Sequence, residues 1–207
     1  MIVAVDGPAA SGKGTLARAL ARHYGLLYLD TGSLYRAVGQ AVLAAGGNPA
    51  DEKAALAAAE ALDAARIDEK AIRTAEAGHA ASVVAAMPAV RAAILGLQRR
   101  FAAQKPGAVL DGRDIGTVVC PDADVKLFVS ASPEVRAHRR WLELNNSGSG
   151  LSEAQVLEDV RERDRRDAER AASPMKPAAD AHLLDTSNLS IEAAFDAAVA
   201  IIDKAMG

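Results

Sequence analysis

Nine residues near the amino end constrain this chain most: Gly7-Pro8-Ala9-Ala10-Ser11-Gly12-Lys13-Gly14-Thr15. They follow Ile2-Val3-Ala4-Val5, an apolar run closed by Asp6-Gly7-Pro8, which reads as a buried parallel strand. They precede Thr15 to His23, which reads as a helix. A glycine-rich turn between strand and helix is where backbone N–H groups wrap a phosphate. Gly7 and Gly12 permit the backbone angles required, and the helix that follows adds the positive end of its dipole. Lys13 then reaches the β and γ phosphates, and the Thr15 hydroxyl is positioned for magnesium, directly or through water. The general pattern puts the hydroxyl residue directly after the lysine, whereas Gly14 intervenes here. The competing reading is an ordinary strand-to-helix turn. The loop taken with both flanks favours nucleotide phosphate binding.

Beyond the loop, strands and helices alternate. Leu26 to Leu29 reads as a second strand ending in Asp30-Thr31-Gly32, and Ser33 to Ala45 as a helix stopped by Gly46-Gly47-Asn48-Pro49. Residues 51–104 are Ala-rich with few strand signals. Asp51 and Thr74 are each placed to cap a helix, and Pro88 to open a third. Val109-Leu110 resumes the strand pattern, Val125 to Val129 is a fourth strand, and His182-Leu183-Leu184 a fifth. Ser132-Pro133-Glu134 opens a helix, and Asn145 to Gly150 reads as a flexible break. Ser152 and Gln155 form a capping box for a charged helix to Ala171. Ser190 to Met206 closes the chain as a helix. This rhythm predicts an α/β fold with a five-stranded parallel sheet flanked by helices. The rhythm breaks twice, so the single domain is expected to have a core of about 1–45, 105–138 and 172–207. A helical insert of about 46–104 and a segment of about 139–171 elaborate it.

Composition excludes several other classes. The chain of 207 residues has a net charge of −3 and only 3% aromatics, which leaves neither a basic field nor stacking platforms for a nucleic-acid polymer. A single cysteine, Cys120, excludes an internal disulfide or a multi-cysteine zinc site and reads as a packing residue. His23, His79, His138 and His182 lack metal-ligand spacing. Neither a signal peptide nor a membrane span is evident, so a cytoplasmic protein is expected, and a monomer because no oligomer seam is evident. Of the 24 basic residues 17 are arginine, the residue suited to bidentate contacts with phosphates and carboxylates.

The Gly-Lys-Gly-Thr ending of the loop points away from GTPases and toward nucleoside monophosphate kinases. Further matches are Leu29-Asp30-Thr31-Gly32-Ser33-Leu34-Tyr35-Arg36, the segment Asp111-Gly112-Arg113-Asp114-Ile115-Gly116-Thr117-Val118-Val119, then Pro121-Asp122-Ala123. Glu162-Arg163-Asp164-Arg165-Arg166-Asp167 leads on to Arg170. Over almost the whole chain this set resembles the bacterial cytidylate kinase family, and the Asp-Gly-Arg-Asp-Ile-Gly-Thr segment is its most specific part.

The resemblance implies a P-loop kinase fold of core, monophosphate-binding insert and lid. It also implies Mg-ATP-dependent phosphorylation of CMP and dCMP. The family's insert is often larger and holds a small antiparallel sheet, whereas here Leu62 to Ala77 is short and has little strand character. ATP is expected on Gly7 through Thr15 with Arg139. CMP is expected on Thr31, Arg36, Ser82, Arg91, Arg113, Asp114, Arg163, Asp167 and Arg170. Within that set Arg36 and Arg113 grip the acceptor phosphate. Ser82, Arg91, Asp114 and Arg170 read the base, while Arg163 and Asp167 meet the ribose. Lys13, Arg36, Arg113 and Arg166 are the expected catalytic groups.

The chemistry suits such a set. Two anions must be brought together, so the work is neutralisation and positioning. A phosphomonoester with a second pKa near ~6 is already largely dianionic at pH 7 and needs no strong base. Arg163, Arg166 and Arg170 share one helix face, although ion pairs on a solvated helix would explain the same charges. The tract at Asn145–Gly150 would be a lid tip that excludes water. Trp141 either packs the lid hinge or stacks on adenine. Two other functions compete: a different nucleoside monophosphate kinase, and a regulator that holds ATP without transferring phosphate. The second needs no acceptor clamp, so Arg36 and Arg113 speak against it.

Overall fold

The computed structural model describes residues 1–68, 71–146 and 150–207. Residues 147–149 of the tip expected at Asn145–Gly150 therefore fall outside the described residues. The chain begins with β1 (Ile2–Asp6), α1 (Lys13–Tyr24), β2 (Leu27–Asp30) and α2 (Thr31–Ala44). A helical stretch follows: α3 (Glu52–Glu60), a single 3-10 turn (Ala64–Arg66), α4 (Ala75–Val84) and α5 (Pro88–Ala102). Then come β3 (Ala108–Gly112), a π-helical turn (Ile115–Val119), β4 (Val125–Ser130), α6 (Pro133–Asn146), α7 (Glu153–Glu169), β5 (His182–Asp185) and α8 (Ile191–Met206).

Side-chain caps open these helices. Asp51 accepts from the Lys53 and Ala54 N–H groups, Thr74 from Ala77 and Ser190 from Ala193. Ser152 and Gln155 make the reciprocal capping box. Each such cap satisfies otherwise orphaned N–H groups and stabilises its helix by about 1 kcal/mol. Pro88 stands at the first position of α5, where its missing N–H costs nothing.

The sheet has five parallel strands in the order β2-β3-β1-β4-β5. Period-2 alternation divides β1 between two layers. Val3 and Val5 pack with Leu16, Leu20, Ala198 and Ile202 under α1 and α8. Ala4 faces the opposite layer with Leu110, Ile115 and Ala102. A third cluster joins α2 to α4 and α5 through Leu34, Val38, Val84, Val90 and Ile94. Gly39 of α2 lets α4 approach closely, since a Cβ there would lie 2.7 Å from that of Ala80. Trp141 joins Leu144, Val156 and Val160 in a small core between α6 and α7, and its indole N–H donates to the Leu151 carbonyl at 3.0 Å.

Strand order decides where ligands can sit. The chain leaving β1 passes over β3 to reach β2, and the chain leaving β3 passes over β1 to reach β4. The two connections diverge, and the crevice beyond their carboxyl ends is the binding position of open parallel sheets. Gly7 lies at that edge with φ 147°, and a Cβ on it would collide with the Val129 carbonyl oxygen. Gly7→Ala is therefore expected to lower stability by about 3 kcal/mol, combining overpacking with backbone strain. Denaturant unfolding checks this, and an unchanged midpoint would contradict it.

Candidate active site

A cleft of about 570 Å³ opens at this edge, a size suited to small-molecule ligands. One side of it is the glycine-rich loop. Gly12 caps α1 in a left-handed conformation, φ 86°. Lys13 lies buried within the turn, its Nζ donating to the Pro8 carbonyl at 3.2 Å. Burial, reinforced by the nearby Arg113 charge, pulls the Lys13 ammonium down to about 7. A cation held this way gains most when an anion arrives. Ala9, Ala10, Gly12, Gly14 and Thr15 line the cleft with it. Ser11 is buried behind the loop, and Gly7 and Pro8 sit at its root.

Two strand-end carboxylates face the loop. Asp111 ends β3 and accepts from the Tyr28 hydroxyl at 2.9 Å. Burial, with the Asp30 charge adding to it, pushes the Asp111 carboxyl up to about 6. An ideal Cβ built on Gly14 would lie 3.4 Å from Asp111 Oδ2, so glycine leaves the carboxylate open to the cleft. Asp30 ends β2, caps α2 through the Ser33 N–H, and pairs with Arg36 at 2.6 Å. Burial alone would raise its carboxyl, but the Arg36 charge and hydrogen bond outweigh it and hold Asp30 below the usual range.

The other half of the cleft is arginine-rich. Arg113 donates Nε to Asp167 at 2.9 Å, joining the end of β3 to α7. Asp114 follows, paired with Arg91 of α5, while Arg170 Nη2 lies 3.6 Å from its other oxygen, beyond hydrogen-bond reach. Burial and Arg113 together press the Arg163 guanidinium down to about 10. Thr31 donates its hydroxyl to the Asp111 carbonyl at 2.7 Å and lines the same wall. Four of these groups hold buried polar atoms that no protein group satisfies: Arg36 Nε, Ser82 Oγ, Arg163 Nε and Arg170 Nη2. Leaving such atoms unpaired costs about 1–3 kcal/mol each, so their convergence on one cleft marks a polar ligand.

The structure thus gathers Lys13, Thr15, Thr31, Arg36, Ser82, Arg91, Arg113, Asp114, Arg163, Asp167 and Arg170 around one cleft. Ser82 comes from α4 and Arg91 from α5. Besides Gly7, Pro8 and Ser11, two expected residues stand apart from the lining. Arg139 lies behind the loop, donating to the Thr186 carbonyl at 2.8 Å and hydroxyl at 3.1 Å and reaching the Ser11 carbonyl at 3.5 Å. Arg166 pairs loosely with Glu162 at 3.8 Å. Sequence reasoning gave no individual role to Tyr28, Arg73, Asp111 or Arg140, which also line the cleft. For Asp111 a signal existed: an acid ending a buried parallel strand just before glycine. Asp6, buried at the end of β1, accepts from the Ile115 and Gly116 N–H groups, both at 2.8 Å. It anchors the π-helical turn, and burial raises its carboxyl to about 6.

A phosphate loop facing an arginine-lined cleft across the carboxyl edge of a parallel sheet defines a kinase of the P-loop class. A family model described as "Cytidylate kinase" matches residues 3–204. A cytidylate kinase of Xanthobacter autotrophicus is 63% identical over 203 residues, covering 98% of this chain and 97% of that one. One of Azorhizobium caulinodans is 60% identical over the full length of both chains. The chain belongs to the cytidylate kinase family. A solved but uncharacterized protein from Eubacterium ventriosum shares the fold at TM-score 0.57 and 14% identity, over 98% of each chain.

Proposed function

We propose that this enzyme transfers the γ-phosphoryl group of ATP to CMP and dCMP. The observation that carries this reading is that Arg36, Ser82, Arg163 and Arg170, each with a buried polar atom that lacks a hydrogen-bond partner, line one cleft together with the loop. The loop N–H groups and Lys13 hold the β and γ phosphates of the donor, and Arg139 acts on that side through the backbone of Ser11. Arg36 and Arg113 hold the acceptor phosphate so that its oxygen meets the γ-phosphorus in line. Arg166 adds positive charge from α7. Cytosine offers an N4 amino donor and O2 and N3 acceptors. The Asp114 carboxylate can accept from N4, while Arg91, Arg170 and Ser82 can donate to the acceptors. Arg163 and Asp167 meet the ribose hydroxyls. Residues 46–104 serve as the acceptor-binding insert and 139–171 as a lid over a one-domain core. We expect a monomer in the cytoplasm.

The donor set beside the loop suits magnesium. It comprises the Thr15 hydroxyl and the Asp111 carboxylate, hard oxygens few enough to leave room for water and phosphate. These residues would hold the ion, which would supply positive charge beside the donor phosphates. Excess chelator is expected to stop turnover while calorimetric CMP affinity stays within twofold. Persistent turnover in chelator would remove the metal from the reading.

Initial rates with CMP, dCMP, UMP and AMP test the base assignment, and a clear preference for UMP or AMP would overturn it. Asp114→Ala is expected to lower kcat/KM for CMP by about a hundredfold, because a site built around hydrogen bonds is left with unpaired groups. The KM for ATP should stay within about threefold, since Asp114 lies on the acceptor side. Equal losses for both substrates would count against base reading.

A further inference from the structure

Arg136 does not itself line the cleft, yet it is buried and heavily bonded just behind it. It lies on the first turn of α6, 3% exposed. Its Nε donates to the Ala131 carbonyl at 2.8 Å and its Nη1 to the Ala9 carbonyl of the phosphate loop at 3.3 Å. The same guanidinium forks onto both oxygens of Asp164 on α7, at 3.0 and 2.5 Å. One planar group thus ties together the end of β4, the loop and α7.

The Ala9 tie has a geometric consequence. In a trans peptide the carbonyl and the next N–H point in opposite directions. A carbonyl of Ala9 drawn back toward Arg136 turns the Ala10 N–H the other way, toward the cleft that Ala9 and Ala10 line. Ala10 needs such support, because its φ of 58° is left-handed and costs a residue with a side chain about 1–2 kcal/mol. The Asp164 tie reaches the other substrate. Asp164 faces α6, while Arg163, Asp167 and Arg170, from the same helix and its cap, line the acceptor side.

We propose that Arg136 is a positioning residue that sets the Ala9–Ala10 peptide of the donor cradle and, through Asp164, the seating of α7 on the acceptor. The inference rests on the two-substrate reading above and adds a coupling between the two halves. Filling the cradle fixes the loop, the loop fixes Arg136, and Arg136 fixes α7. Coupling is reciprocal, so each nucleotide then tightens the other by the same factor. A guanidinium can serve all three partners at once, whereas a lysine ammonium cannot fork onto a carboxylate while also reaching Ala9.

The test is titration calorimetry on the full-length enzyme, measuring acceptor Kd with and without a non-hydrolysable ATP analogue. The acceptor is the monophosphate that the wild-type enzyme turns over best, so a wrong base assignment changes the acceptor and not the test. Wild type is expected to bind the acceptor roughly tenfold more tightly when the analogue is present. Asp164→Asn keeps the side-chain volume and leaves the Ala9 tie intact. It is expected to bind each nucleotide alone within about threefold of wild type, while the mutual tightening falls toward one. Arg136→Lys should behave the same way, with weaker analogue binding in addition. A merely structural role would lower Tm and both single affinities but leave the coupling ratio unmoved. Absence of tightening in wild type, or wild-type tightening in Asp164→Asn, would overturn the proposal even with turnover intact. Failure of wild type to phosphorylate any monophosphate would instead sink the two-substrate reading.

Discussion

Lys13→Met is expected to lower kcat by about a thousandfold, because a preorganised charge at the transferring phosphoryl group is worth about 4 kcal/mol in a water-excluded site. Lys13 is already desolvated, with burial pulling its ammonium down to about 7. The cost of burying it is therefore met in the resting fold, and its interaction with the phosphates is not weakened by competing water. Methionine preserves the length and packing of the side chain, so the fold should survive. A coupled assay for diphosphate product reads the loss, and calorimetry should find CMP binding within about threefold of wild type. Turnover near normal would refute the assignment of Gly7–Thr15 to the donor phosphates.

Arg113→Met should lower kcat/KM for CMP by about a thousandfold. Arg113 stands between the loop and α7: its charge acts on Lys13, and its Nε binds Asp167 at 2.9 Å. Removing it takes a bidentate donor from the acceptor phosphate. It also leaves Asp167, 8% exposed, without that partner. A destabilisation of about 2 kcal/mol should accompany the kinetic loss, since the remaining carboxylate is partly buried and loses its ion pair. Stability and kinetics separate in Arg113→Lys, which keeps the charge but not the fork and should recover stability more than activity. A loss in kcat/KM below tenfold in the methionine variant would remove Arg113 from the acceptor phosphate.

Much of this molecule is legible in its sequence because the decisive signals are local. Five apolar runs closed by turn residues become five parallel strands, and Asp51, Thr74, Ser152 and Ser190 cap the helices they precede. The residues that converge on the cleft sit in motifs of contiguous sequence, such as Asp30 to Arg36 and Asp111 to Asp114. What sequence reading missed depends on contacts between distant residues. The π-helical turn at Ile115–Val119 forms where Asp6, more than a hundred residues earlier, accepts two successive N–H groups. Arg136 and Arg139 look alike in a basic helix start, yet one forks onto Asp164 and the other onto Thr186. Neither partner can be chosen from spacing alone. Arg73 and Arg140 line the cleft from segments outside the quoted motifs.

The most direct measurement is a crystal structure with a bisubstrate analogue that joins adenosine and cytidine through a polyphosphate chain. The adenosine-side phosphates should lie within hydrogen-bond distance of the Ala10–Lys13 N–H groups and of Lys13 Nζ. The phosphate next to cytidine should lie between Arg36 and Arg113. A cytidine-side phosphate bound away from both guanidinium groups would contradict the division of the cleft into donor cradle and acceptor clamp.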